Sequence, residues 1–143
     1  MTVGDNDKGM TRAAWWLKKL YPYIITLDTN SAGAETTGSY NLPNDTAENT
    51  VIEVTTTKRR RLESVWLDLT NLAQDITIKV YHKIDGATYR QYNEYAWATT
   101  DEDGFQLSSL AINNDWKLTI TSPVAQGAIK AIPYNIIYTP MEA

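Results

Sequence analysis

Apolar residues recur at every second position through the middle of the chain. Ile76, Ile78, Val80, His82 and Ile84 alternate with Thr77, Lys79, Tyr81 and Lys83, and strict alternation predicts a half-buried strand. Val65, Leu67 and Leu69 alternate in the same way with Trp66, Asp68 and Thr70, and Trp116, Leu118 and Ile120 do so further on. The β-branched run from Val51 to Thr57 and the segments Tyr89–Trp97 and Ala128–Tyr138 read as further strands. Asp85-Gly86 is a hairpin signal. With a two- or four-residue turn there, Tyr89, Tyr95 and Trp97 share the apolar face of Ile76 and Ile78, and a three-residue turn reverses the faces. Asp101-Glu102-Asp103-Gly104 reads as an acidic turn, and Pro133 implies an edge position or a bulge. Seven or eight short strands at regular spacing predict an all-β, jelly-roll-like antiparallel sandwich.

The first third of the chain follows another rhythm. Ala13, Trp16, Leu17, Leu20 and Tyr21 fall at helical spacing after Thr11, a suitable N-cap, and Pro22 ends the pattern. A helix of about ten residues is marginal alone in water and needs a surface to pack on. Tyr23–Leu27 reads as a strand, and the polar residues 28–50 read as a long loop. The expected organisation is an arm with a short amphipathic helix over 1–22 and a β-sandwich over 23–143.

Composition narrows the chemistry. There is no cysteine, which removes disulfides and thiolate sites, and His82 is the single histidine. Nine tyrosines and five tryptophans stand against one phenylalanine, a bias that suits interfaces, where a ring needs a polar tip. The net charge of −4 is unevenly spread. Lys8, Arg12, Lys18 and Lys19 outnumber the carboxylates of the arm, residues 21–57 hold acids and no Lys or Arg, and Lys58-Arg59-Arg60-Arg61 forms a basic knot. Such a distribution suggests contact with a complementary surface rather than general affinity for nucleic acid, which needs a broad basic face.

No constellation of catalytic type is legible. His82 has neither an orienting partner nor a nucleophile elbow beside it, and reads as a structural histidine satisfied by a neighbour. The consecutive acids at 101–103 diverge at a turn, and a calcium loop starting at Asp101 has Ile112 where the bidentate Glu belongs. We therefore expect no enzyme, catalytic residue, cofactor or metal. Trp15 and Trp16 beside basic residues could mark a membrane surface, yet the apolar face is too short for more than weak affinity. The helix either covers its own sandwich or docks on another subunit. On the docking reading, Trp15, Trp16, Leu17 and Leu20 are partner-binding residues, joined by Arg59, Arg60 and Arg61. Tyr81, Tyr89, Tyr92, Tyr95 and Trp97 could build a sugar platform, but alternation places at least three of them toward the core. The first residues lack an export signal and no window is long and apolar enough to span a membrane, so synthesis in a host cytoplasm without a signal peptide is expected.

The run from Val65 to Arg90, with Ile76-Thr77-Ile78-Lys79-Val80-Tyr81-His82-Lys83-Ile84-Asp85-Gly86 at its centre, resembles a hairpin of small β-sandwich structural proteins of tailed phages and related viruses. The resemblance extends over about half the chain, to the C-terminal strand, and leaves out the arm and residues 28–50. It implies a non-enzymatic virion component: a capsid decoration (cement) protein, or a tail or neck accessory, that docks on a capsid or other virion protein. A homo-oligomer, a trimer by analogy, would follow. The alternative is a carbohydrate-binding sandwich module of a phage tail or adhesion device.

Overall fold

The structure is a computed structural model, and it describes residues 34–55, 60–112 and 115–140. The expected arm at 1–22 and the expected strand at Tyr23–Leu27 lie outside the described residues. The described chain forms eight strands: β1 Ala34–Leu42, β2 Glu48–Val54, β3 Arg60–Asp68, β4 Ile76–His82, β5 Arg90–Trp97, β6 Gly104–Ile112, β7 Trp116–Thr121 and β8 Lys130–Pro140. They make two four-stranded sheets, ordered β1-β8-β3-β6 and β2-β7-β4-β5.

That order has a simple origin. The antiparallel pairs are β4 with β5, β3 with β6, β2 with β7 and β1 with β8, so the two halves of the chain pair as one long hairpin with its tip between β4 and β5. The β3–β8 and β4–β7 ladders then close each sheet. A hairpin wrapped in this manner is a jelly roll. The fold class expected from the alternation is therefore the one found.

Period-two alternation fills the space between the sheets. Ile76, Ile78 and Val80 of β4, Leu118 and Ile120 of β7, Val65 and Leu67 of β3, and Ile132 and Ile136 of β8 are all buried, with Trp116 fully enclosed among them. A bulge between Leu62 and Ser64 lets Leu62 face the same core as Val65, three positions away. Among the described residues, Gln126 is a buried polar anchor, only 2% exposed. Its carbonyl accepts the amides of Ala73 (2.8 Å) and Gln74 (3.1 Å), and its amide donates to Gln74 O (3.2 Å) and Ser122 Oγ (2.9 Å). It ties the β3–β4 connection to the β7–β8 connection.

Four expectations need correction. Of the polar loop expected over 28–50, residues 28–33 lie outside the described residues, and the rest gives way to β1 and the start of β2, with residues 43–47 between them. β1 is an edge strand whose outward positions Glu35, Thr37, Ser39 and Asn41 are exposed, so polarity there reflects solvent rather than a loop. Pro133 is not on an edge strand, because β8 lies between β1 and β3. It sits one residue beyond the last β3–β8 pair, Leu67 with Tyr134, where that flank of β8 no longer has a ladder to serve. The turn at Asp85-Gly86 is also longer than a two- or four-residue hairpin. β4 ends at His82 and β5 begins at Arg90, with Gly86 at positive φ and Asp85 Oδ1 accepting the amides of Ala87 and Thr88. In consequence Tyr95 and Trp97 pair with Ile78 and Ile76 as expected, but Tyr89 lies in the loop, away from the core.

Candidate interaction surface

The inward direction of Val65 and Leu67 forces Trp66 outward. β3 is an interior strand of its sheet, yet Trp66 is 47% exposed. Its register partners are Asn135 on β8 and Gln106 on β6, and Asn135 in turn faces Thr37 on β1. Trp66, Asn135 and Thr37, together with Asp68, Asp103 and Pro133, line an open groove of about 590 Å³. Asp68 accepts hydrogen bonds from the hydroxyl and the amide of Thr70, the hydroxyl being the larger influence, and both hold its carboxyl below the usual range. Asn135 Nδ2 donates to Glu35 at the rim. The groove thus combines one large aromatic face with two carboxylates, and its lining includes no Lys or Arg.

The outer face of the other sheet is organised differently. Glu48 Oε1 accepts hydrogen bonds from Thr119 Oγ1 (2.6 Å) and Tyr81 Oη (2.6 Å), which lower its pKa in that order of importance. Burial and the Glu48 carboxylate push the Tyr81 phenol up to about 12. Tyr89 Oη donates to Glu53 (2.8 Å), while Lys83 and Lys117 stand 4.7 and 4.8 Å from the centre of its ring. Lys117 also lies 5.1 Å from the Tyr81 ring, and Lys83 Nζ reaches Asp115 at 2.9 Å. A cavity of about 350 Å³ opens here between Glu48, Tyr81, Tyr89 and Lys117. The charges of this face are answered by one another, so it is a fastening for β2, β4 and β7 more than an open receptor.

The residues singled out from the sequence do not meet in one place. Trp15, Trp16, Leu17, Leu20 and Arg59 lie outside the described residues. Arg60 begins β3 opposite Ile112 and Pro140, and Arg61 is exposed with its Nε 3.8 Å from Glu63 Oε1. His82 differs from expectation: it faces Trp116 across the β4–β7 ladder, and its Nε2 is buried with no hydrogen-bond partner among the described residues. Burial lowers its pKa. The sugar platform does not form. Trp97 is buried and donates Nε1–H to Glu102 O (2.8 Å), Tyr95 meets Phe105 edge-on at 5.2 Å, and Tyr89 is held by Glu53, leaving Tyr92 widely exposed. At the acidic turn Asp101 Oδ2 accepts the Ala98 amide, and among the described residues no three His, Cys, Asp or Glu side chains converge as a metal site. No helix among them is long and apolar enough to cross a membrane.

No family model and no curated protein matches the chain. Solved structures do. The chain is similar to a protein of the structure described as "Bacillus endospore appendages form a novel family of disulfide-linked pili", with a TM-score of 0.51 at 12% identity over 78% of this chain and 88% of that one. It is also similar to a protein of the "Acidic stable capsid structure of Helicobacter pylori bacteriophage KHP30" (TM-score 0.49, 9% identity, 75% and 89% covered). A third similarity is to the "Capsid of Ralstonia phage GP4" (TM-score 0.48, 14% identity, 78% and 86% covered). At 12% identity the likeness to the appendage protein is one of fold. The chain is an all-β jelly roll whose structural neighbours include phage capsid and spore-appendage proteins.

Proposed function

We propose that this chain is a non-enzymatic structural subunit that works by docking on other protein copies, and specifically a virion component that decorates an assembled capsid. The observation that carries the reading is Trp66, a large aromatic held half-exposed in the middle of a sheet. Burying such a ring at an interface contributes roughly 1.5–3 kcal/mol, and tryptophan is enriched among the residues that dominate interface energies. The shared fold with a protein whose structure is described as forming pili supports an assembly role in general. This chain has no cysteine, so its contacts with neighbours form without disulfides. Docking through the arm residues Trp15, Trp16, Leu17 and Leu20 belongs to the same proposal, with a homotrimer as the oligomer it implies.

The test is mass spectrometry of gradient-purified particles from the cells that produce the chain. A fixed number of copies per particle, retained after a salt wash, is the expected result. Absence of the chain from the particles overturns the reading.

A further inference from the structure

We propose that the Trp66 groove receives the N-terminal arm of a second copy, with Trp15 and Trp16 against Trp66 and Pro133, and Lys18 and Lys19 against Asp68 and Asp103. The inference rests on the assembly reading above and names the surface that the arm would meet.

Complementarity carries it. The groove offers an aromatic face and two carboxylates without a cation among its lining residues. The arm offers two adjacent tryptophans, four cations and only two carboxylates within residues 1–20. A lysine beside an indole and a carboxylate gains from both the ring quadrupole and the charge. The other large outer-face cavity is a poorer receptor, because Lys117 and Lys83 already cover its tyrosine rings. Residues 22–33 separate the arm from β1 and can span at most about 40 Å. Thr37 of β1, the first described strand after the arm, lines the groove.

Sedimentation velocity of the full chain tests the proposal with two variants. The groove variant is Asp103→Lys, and the arm variant is Lys18→Glu with Lys19→Glu. Wild-type protein should associate reversibly and more weakly as salt rises. Each variant alone should associate about tenfold more weakly, with near-ultraviolet circular dichroism unchanged. Mixed in equal amounts, the two should recover association, since the intact arm of one meets the intact groove of the other. If Asp103→Lys fails to fold, Trp66→Ser serves as the groove variant with the same expected results. Variants that associate like wild type overturn the proposal. So does a mixture that stays monomeric, because the arm then serves its own copy. A wild-type chain that is monomeric yet present in purified particles overturns this inference and leaves the assembly reading standing, whereas a monomer absent from particles removes both.

Discussion

The ring of Tyr134 on β8 lies across Gly38 on the edge strand β1, so close that a Cβ at position 38 would collide with its Cζ and Oη. Glycine is required here by the space the ring occupies, and the ring in return covers a weak point in an edge strand. Gly38→Ala should displace the ring and destabilise the fold by about 1–3 kcal/mol. Urea unfolding of Gly38→Ala, Tyr134→Ala and the double variant measures this. Non-additivity is expected, with the double variant less damaged than the two single losses combined.

Gln126 gives a second expected outcome. Both lone pairs and both N–H groups of its buried amide are used. Gln126→Glu replaces two donors with an acceptor facing Gln74 O and Ser122 Oγ. An uncompensated buried charge should cost about 3 kcal/mol at neutral pH. The introduced carboxyl will have a raised pKa because burial disfavours its charge, so the loss should shrink as pH falls toward 5 (about the upper edge of carboxylate titration). Thermal melts of both proteins at neutral and acidic pH measure this.

Glu48 sets an acid limit of its own. Its pKa lies below the ordinary value of 4.5 because Thr119 and Tyr81 donate to the charged form. A depressed native pKa gives stability that is complete above the unfolded value and lost as pH falls through the native one. Wild type should therefore lose stability below pH 4.5, while Glu48→Gln should be less stable by about 1 kcal/mol at neutral pH and lose less on acidification. Tyr81 acts at the opposite end. Its raised pKa, about 12, means that its contribution is intact below the ordinary value of 10.0 and is lost as pH climbs between the two. Absorbance titration of the phenolates in wild type and Glu48→Gln should show Tyr81 moving down toward the ordinary range.

Trp116 tests the core. It is 0% exposed, in the strand that joins β2 to β4. Trp116→Ala should cost about 3–5 kcal/mol, read from the urea midpoint.

The strands that alternate cleanly, β4 and β7 above all, were legible because one face of each is buried and the other solvated. β1 was not, since its outward residues are polar and its inward face includes Gly38, whose apolar partner, the Tyr134 ring, comes from nearly 100 residues away in sequence (~96 positions on the β1–β8 ladder). The residues of β6 did not stand out either, although Phe105 and Leu107 alternate with Gln106 and Ser108. The place of Tyr89, in the connection rather than on either face of β5, is not legible because the sequence names a turn at Asp85-Gly86 without fixing its length. The outward direction of Trp66 followed from Val65 and Leu67. Its groove did not, because Thr37, Asp103 and Pro133 reach it only through the pairing of β1, β8 and β3 and through the turn before β6.

Oxidative footprinting of the tryptophans tests the central claim, that the outer face around Trp66 is the surface through which this chain is built into an assembly. The isolated protein, diluted until it is monomeric, and the purified particle are labelled side by side, with Trp116, enclosed in the core, as the internal reference. Trp66 should be modified readily in the isolated protein and protected in the particle by about tenfold or more, as expected of a ring desolvated at an interface centre. Equal modification of Trp66 in the two states would contradict the account.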